Sequence, residues 1–381
     1  MRQAWQQGCR LLQKRIYKTM QTTYKRIAVK VGSNVLTRAD GTLDVTRMSA
    51  IVDEIAALRS MGVEVVLISS GAVASGRSEL RGLAAKNLDT VGQRQLFSAV
   101  GQAKLINRYY ELFREHNIPV GQVLTMKESF ATRRLYLNQR NCIMVMLDNG
   151  VLPIVNENDT VSVTELMFTD NDELSGMMAS MVDAQALVIL SNVDGVYNGV
   201  PGTEGVEVIR RVEPGRELSD YIQATKSSFG RGGMMTKCNI ARKVAEEGIA
   251  VYIANGKREG VLTALVTEPE KVVCTCFEPS QGNVSPIKKW IAHSTGFVKG
   301  TIYLNEKAVA AVCGEKAVSI LPVGVVSAEG VFGRDDLVQV AASDGRVLGV
   351  GRIACDSEEI KELIGKHGCK PVVHYDYLYL E

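Results

Sequence analysis

The chain has 381 residues, 46% of them apolar and 23% charged, enough to bury a sizeable core and to divide into two domains. Its longest apolar runs, around Val65–Ile68 and Leu187–Leu190, fall far short of the ~20 residues a spanning helix needs, so no membrane insertion is expected. With 44 Lys and Arg against 42 Asp and Glu, the balance advertises neither a nucleic-acid nor a membrane partner.

In chain order, the first nineteen residues carry Arg2, Arg10, Lys14, Arg15 and Lys18 with no acidic residue, and Trp5, Leu12 and Ile16 can share one helical face. That composition resembles an organelle presequence. The simpler reading is preferred: Met20 is the true start, residues 1–19 upstream of it are a misassigned or dispensable stretch, and 1–23 as a whole form an N-terminal extension outside the folded domains. Eight cysteines are scattered without a C-x-x-C pair, Cys274 and Cys276 lying nearest together, and no histidine is spaced to complete a zinc site. Reduced thiols in a cytoplasmic protein, and no metal site in the chain, are the expectation.

From Arg26 to about residue 265, strand-like and helical patterns alternate, the mark of an α/β fold with a mainly parallel sheet. Strands are expected at Arg26–Val31, Val63–Ser69, Ile118–Leu124, Val151–Val155, Ala186–Leu190 and Ile249–Ala254. Met48, Ile51, Val52, Ile55 and Leu58 have the spacing of a helix laid on the sheet. Further helices are expected near Leu96–Arg114, Leu135–Asn149, Leu174–Val182 and Met235–Glu247. After Thr267 the texture changes to a turn-rich connector, 268–283, with Glu278-Pro279-Ser280-Gln281-Gly282-Asn283 at its centre. Beyond it, 284–381 reads as a small β-rich domain with strands at Gly300–Leu304, Val318–Leu321, Val323–Ser327, Leu337–Ala341 and Val347–Ile353, leaving 24–267 as the α/β domain.

Four constellations carry chemistry. Val29-Lys30-Val31-Gly32-Ser33-Asn34 delivers a lysine and then a glycine turn at the end of the first strand. Ile68-Ser69-Ser70-Gly71-Ala72-Val73 puts two hydroxyls and a glycine at the next strand-to-helix turn, where free backbone N–H groups can hold phosphate or carboxylate oxygens. Taken singly, each is more often only a turn. Together they lie at the carboxyl ends of strands, where ligands of open α/β sheets bind. The third is Asn156-Glu157-Asn158-Asp159 after a strand, followed by Thr169-Asp170-Asn171-Asp172 opening a helix. Such runs are often caps and solvated loops, yet Asp172 can hold a substrate ammonium or the lysines, and carboxylates here can bind Mg²⁺ through water.

The fourth is Ser227-Ser228-Phe229-Gly230-Arg231-Gly232-Gly233-Met234-Met235-Thr236-Lys237, a glycine-rich loop running into a helix with a lysine in its first turns. No G-x-x-x-x-G-K-[ST] occurs in the chain, so this is no Walker A loop, and it reads equally as a surface loop or a phosphate contact. Ser191-Asn192-Val193-Asp194-Gly195-Val196-Tyr197 follows another strand and suits a base or ribose pocket. Gly349-Val350-Gly351-Arg352-Ile353-Ala354 fits the dinucleotide fingerprint by letter only, lying outside a βαβ unit. His116, His293, His367 and His374 sit in ordinary polar contexts, and hydrolase chemistry has no support.

In this order the constellations resemble the amino acid kinase family over roughly residues 24–381, and among its members those acting on free glutamate. The segments that look alike are Val29–Leu36, Ser70–Arg77, Val155–Asp159, Asp170–Ser175 and Gly232–Lys237. In the tail, Lys288-Lys289-Trp290-Ile291, Ile320–Gly324, Glu329–Phe332 and Val350–Arg352 are similar to the PUA module, also known in RNA-modifying enzymes. The resemblance implies a three-layer sandwich, ATP with Mg²⁺ carried mainly by the nucleotide, and transfer of phosphate to the γ-carboxylate of L-glutamate, the first step of proline biosynthesis. By the same resemblance Ser70, Asp159 and Asn171 hold glutamate, Lys30 and Lys237 stabilise the phosphoryl group in flight, and Asp172 orients the lysines. Lys30, Ser191, Asn192, Arg231, Gly232, Gly233, Met234, Met235, Thr236 and Lys237 bind ATP. Arg231 stands where the family usually has a small or hydroxylated residue, and Ser191-Asn192 replaces a common Thr-Asp pair. A homo-oligomer, feedback inhibition by proline and handover of the product to glutamate-5-phosphate reductase are further implications.

Two alternatives stand beside this reading. Relatives acting on aspartate, N-acetylglutamate, UMP or isopentenyl phosphate reuse the same sheet and lysines, but the Asn-Glu-Asn-Asp run and the tail favour glutamate. An RNA-binding or regulatory protein working through its tail is the other. From residue 280 onward eleven Lys and Arg face twelve Asp and Glu, with no basic stripe, so nucleic acid is not the expected partner.

Overall fold

The computed structural model describes residues 22–81, 88–161, 171–216, 218, 233–281, 290–291, 297–314 and 317–380. They fall into two compact units, one drawn from Met1–Lys127 and Gln139–Gly282, the other from Glu128–Asn138 and Asn283–Glu381.

The first unit runs β1 (Arg26–Val31), a single turn α1 (Ser33–Leu36), α2 (Val45–Ser60), β2 (Glu64–Ser69), α3 (Ala72–Glu79), α4 (Thr90–Arg114), β3 (Val120–Thr125), α5 (Arg133–Asp148, whose first residues belong to the second unit), β4 (Leu152–Glu157), α6 (Asn171–Met181), β5 (Ala186–Ser191), β6 (Arg211–Val212), α7 (Met234–Glu246), β7 (Ala250–Asn255), α8 (Val261–Thr267) and β8 (Cys274–Phe277). The strands make one sheet in the order β3-β4-β2-β1-β5-β7-β8-β6. Every pairing is parallel except β7 with β8. From β1 the chain moves to β2 on one side, while β5 and β7 lie on the other, so the strand order reverses between β1 and β5. A crevice opens at the carboxyl ends of strands on either side of such a reversal.

Alternation along β1 sorts its side chains between two covered faces. Ile27, Val29 and Val31 join a core with Met48, Ile51 and Ile55 of α2, Leu105 and Tyr109 of α4 and Leu262 of α8. Lys30 therefore points to the opposite face, where α6 packs along β1, β2, β4 and β5 and against α7. Three layers result, and a buried lysine faces the helix that opens with Asn171 and Asp172.

Local chemistry explains the entries to these elements. Asp44 caps α2 by accepting the Arg47 N–H, and Asp89 caps α4 by accepting that of Gly92. Gly71, between β2 and α3, has φ of 101°, a left-handed conformation that a β-carbon would strain. Pro153 is tolerated inside buried β4 for a positional reason. The Leu152 N–H goes to Pro119 O on the β3 side, so the donor missing from Pro153 would have faced β2, whose ladder with β4 begins only at Ile154. Helix α4 starts at Thr90, six residues before the sequence pattern places it, because its first turns are polar.

The second unit holds β9 (Gly300–Leu304), α9 (Glu306–Val312), β10 (Val325–Gly330), β11 (Leu337–Ala342), β12 (Val347–Ile353), α10 (Glu359–Leu363) and β13 (Val373–Leu380), with a five-stranded sheet in the order β10-β9-β11-β12-β13. Ile302, Leu304, Val325, Phe332, Val338, Val340, Ile353 and Val373 are among its core. Two expectations shift here. Val318–Leu321 makes only a single bridge, Ile320 to Val373, and the expected strand at Val323–Ser327 is β10, beginning at Val325 after a tight turn at Pro322–Gly324. β13 is not legible in the sequence because its pairing with β12 shifts register between Gly351 and Ile353, which breaks the two-residue period. The same unit takes in Glu128–Asn138: the buried Trp290 indole donates to Phe130 O at 2.9 Å, and Phe130 meets Tyr136 edge-on.

Candidate active site

The carboxyl ends of β1, β5 and β7 are laced together by their backbones. Gly32 N donates to Leu190 O at 3.0 Å and Gly256 N to Ser191 O at 2.8 Å. A β-carbon on Gly32 would stand 3.2 Å from that Leu190 oxygen, so the turn after Lys30 is held tightly against β5.

Behind this turn Lys30 Nζ lies 2.5 Å from Asp172 Oδ1, and Lys237 Nζ, from the first turn of α7, lies 2.8 Å from Asp172 Oδ2. Asp172 is 1% exposed, Lys30 is buried with it, and Lys237 leaves 12% of its side chain exposed. Burial on its own would push the Asp172 carboxyl up. The two ammonium groups outweigh it, and the carboxyl is held below the usual carboxylate range. One carboxylate between two cations keeps them from repelling each other and leaves the group with one net positive charge, suited to an anionic phosphoryl group.

Asn171, one residue earlier, joins the ends of β2 and β4. Its Nδ2 reaches Ser69 O at 3.1 Å, Ser70 Oγ at 2.9 Å and Asn156 Oδ1 at 3.0 Å. Asn156 in turn donates to Gln102 Oε1 of α4 at 2.8 Å. Ser70 and Asn171 are thus brought together. Asp159 lies at the same end of the sheet but pairs with α4: Arg94 Nε donates to its Oδ1 at 2.7 Å, Arg94 Nη2 meets the same oxygen and also Glu157 Oε2 at 3.0 Å, and Ser98 Oγ donates to Oδ2 at 3.3 Å.

Ser191 is buried at the end of β5 and Asn192 exposed beside it, their side chains 3.5 Å apart. Nearby, Arg258 grips Asp194 through Nε at 2.6 Å and Nη2 at 2.7 Å, and Asn255 donates to the same carboxylate at 3.0 Å. Hydrogen bonding to Arg258 holds the Asp194 carboxyl below its ordinary value against partial burial. Gly233 caps α7, and Met234, Met235 and Thr236 form its first turn with Lys237. Arg231, Gly232, Thr169, Asp170 and residues 1–21 of the N-terminal extension lie outside the described residues.

The polar face of α4 is what sequence reasoning missed. Arg94, Ser98 and Gln102 recur every four residues and continue into buried Leu105 and Tyr109, with the Tyr109 hydroxyl 3.0 Å from Ser69 Oγ. Starting the helix at Leu96 left Arg94 outside it. The four-residue recurrence was the available signal.

Known proteins align with these same segments. The sequence model of the amino acid kinase family matches residues 25–255 and that of the PUA domain residues 300–375. A curated glutamate 5-kinase of Bacteroides thetaiotaomicron is 67% identical over 362 residues, covering 95% of this chain and 100% of its own. Those of Chlorobaculum tepidum and Trichlorobacter lovleyi are 45% and 36% identical, each covering more than nine-tenths of both chains. With β1 to β7 and both Lys30 and Lys237 inside the matched region, the chain belongs to the amino acid kinase family.

Proposed function

We propose that the protein transfers the γ-phosphoryl group of ATP to the γ-carboxylate of L-glutamate, forming L-glutamate 5-phosphate for proline biosynthesis. The observation that carries this reading is the Lys30–Asp172–Lys237 bridge at the strand-order reversal. A carboxylate acceptor is already anionic and needs no general base, so the residues around it have mainly to position two anions and spread developing charge. Lys30 and Lys237 neutralise the phosphoryl oxygens, and Asp172 fixes both ammonium groups. Ser70 and Asn171 position the acceptor, and Asp159 holds its amino group. Ser191, Asn192 and the segment from Arg231 to Lys237 hold the nucleotide. The cations at the centre suit phosphate oxygens rather than a bare metal, so Mg²⁺ is carried by the ATP phosphates, where it adds charge neutralisation.

The full names of the relatives and their coverage support glutamate over aspartate, N-acetylglutamate or UMP as acceptor. Further parts of the reading are action in the cytoplasm, a homo-oligomer, feedback inhibition by proline, and handover of the unstable acyl phosphate to glutamate-5-phosphate reductase. Among the described residues no helix is long and apolar enough to cross a membrane. The test is ATP-dependent ADP release with L-glutamate, L-aspartate and N-acetyl-L-glutamate, with the acyl phosphate trapped by hydroxylamine. Release that requires glutamate supports the reading, and release that requires one of the others overturns it.

A further inference from the structure

Arg94 lies between two buried carboxylates, Glu157 and Asp159, that reach it from the end of β4 and the loop beyond, 63 and 65 residues away in sequence. Two such carboxylates beside the acceptor would repel the carboxylates of an acidic amino acid, and Arg94 offsets one of their charges. Its own bonds leave capacity at both ends. Among the described residues Nη1 of Arg94 donates to no group, while Asp159 Oδ2 accepts only the 3.3 Å bond from Ser98. The ion pair therefore offers a two-hydrogen donor on the cation and an acceptor on the anion.

That pattern complements the head of a free α-amino acid, whose ammonium needs an acceptor and whose carboxylate needs a donor. We propose that Arg94 is a specificity-determining residue that binds the substrate α-carboxylate while Asp159 binds its ammonium. This rests on glutamate as the acceptor. Arg94 would then do more than hold Asp159 in place: it would select acceptors that keep both head groups. An N-acylated amino acid loses the cation that Asp159 accepts, and a decarboxylated one loses the anion that Arg94 binds.

The experiment compares L-glutamate with 4-aminobutyrate, which is glutamate without its α-carboxylate, in wild type and Arg94→Gln, by hydroxylamine trapping of the acyl phosphate. Arg94→Gln is expected to lower kcat/KM for glutamate on the order of 10²-fold, mainly through KM, and that for 4-aminobutyrate by less than about threefold. If 4-aminobutyrate is not turned over, its inhibition constant against glutamate enters the same comparison. Equal losses for both compounds would mean that Arg94 only props its neighbours, and the proposal is overturned. Arg94→Lys keeps the charge without the planar fork, and a loss of about tenfold confined to glutamate is expected; it replaces Arg94→Gln if circular dichroism shows that variant unfolded. A wild-type protein that phosphorylates another acceptor and not glutamate overturns the functional reading on the first assay, and the proposal with it.

Discussion

Gly76 of α3 and Gly101 of α4 meet backbone to backbone: a β-carbon built on Gly76 would come within 2.9 Å of the Gly101 nitrogen, and one on Gly101 within 2.5 Å of the Gly76 nitrogen. The contact sets α3, which follows the Ser70-Gly71 turn, against the helix that bears Arg94, Ser98 and Gln102. Neither glycine has a left-handed φ, so space alone requires them.

Gly76→Ala or Gly101→Ala should therefore force the helices apart and destabilise the protein by about 1–3 kcal/mol. The shift should also raise glutamate KM more than ATP KM, since α4 bonds to Asp159 through Arg94 and to Asn156 through Gln102. Urea unfolding together with both Michaelis constants checks this. An alanine variant with unchanged stability would show that the helices can separate freely.

On the role proposed for them, Lys30→Ala and Lys237→Ala should each lower kcat on the order of 10²-fold with smaller changes in glutamate KM, because that role puts their charge to most use as the phosphoryl group moves. Both lysines share Asp172, so the double variant should lose less than the product of the single losses. Asp159→Asn should instead raise glutamate KM and leave ATP KM nearly unchanged. The assignment fails if both lysine variants keep near-normal kcat.

Asp172 gives a pH signature. Its folded-state carboxyl is depressed below the ordinary value of 3.8 by Lys30 and Lys237, which together overcome the opposing effect of burial. The bridge therefore contributes stability that is complete above that value and lost as pH falls through the lower folded value. Asp172→Asn should cost about 3–5 kcal/mol near neutrality, and the gap to wild type should stay level down to roughly pH 4 and close below it. Urea midpoints measured across that range test the sign; a gap that widens on acidification contradicts it.

Trp290 is the anchor of Glu128–Asn138 in the second unit. Trp290→Ala should destabilise that unit by about 3–5 kcal/mol through lost packing, whereas Trp290→Phe, which keeps most of the ring and loses the bond to Phe130 O, should cost about 1 kcal/mol beyond the change in volume. Hydrogen exchange at Phe130 to Tyr136 should rise in the alanine variant, and unchanged protection there would show the segment to be held by other contacts.

Much of this protein is legible from local pattern. The near-continuous apolar runs of β1 and β5 announce strands buried on both faces, and their parallel sheet follows from the alternation with helices. Lys30, Ser70, Asn171, Asp172 and Lys237 stand out because each lies at or just past the end of a strand or in the first turn of a helix. β13 and the start of α4 were not legible, one because a register shift breaks its period and the other because its first turns are polar.

The sequence alone determined the parallel α/β core and the residue types at the carboxyl ends of its strands, since these depend on periods of two and 3.6 residues that any short window contains. Only the tertiary structure decided the partnerships: that Asp172 is shared by Lys30 and Lys237, that Arg94 is gripped by Glu157 and Asp159, and that Phe130 belongs with Trp290. Each of these joins residues from elements far apart in the chain. Sheet order and helix packing bring them within bonding distance, and charges so brought together out of water must be paired, a requirement that no local window of sequence expresses.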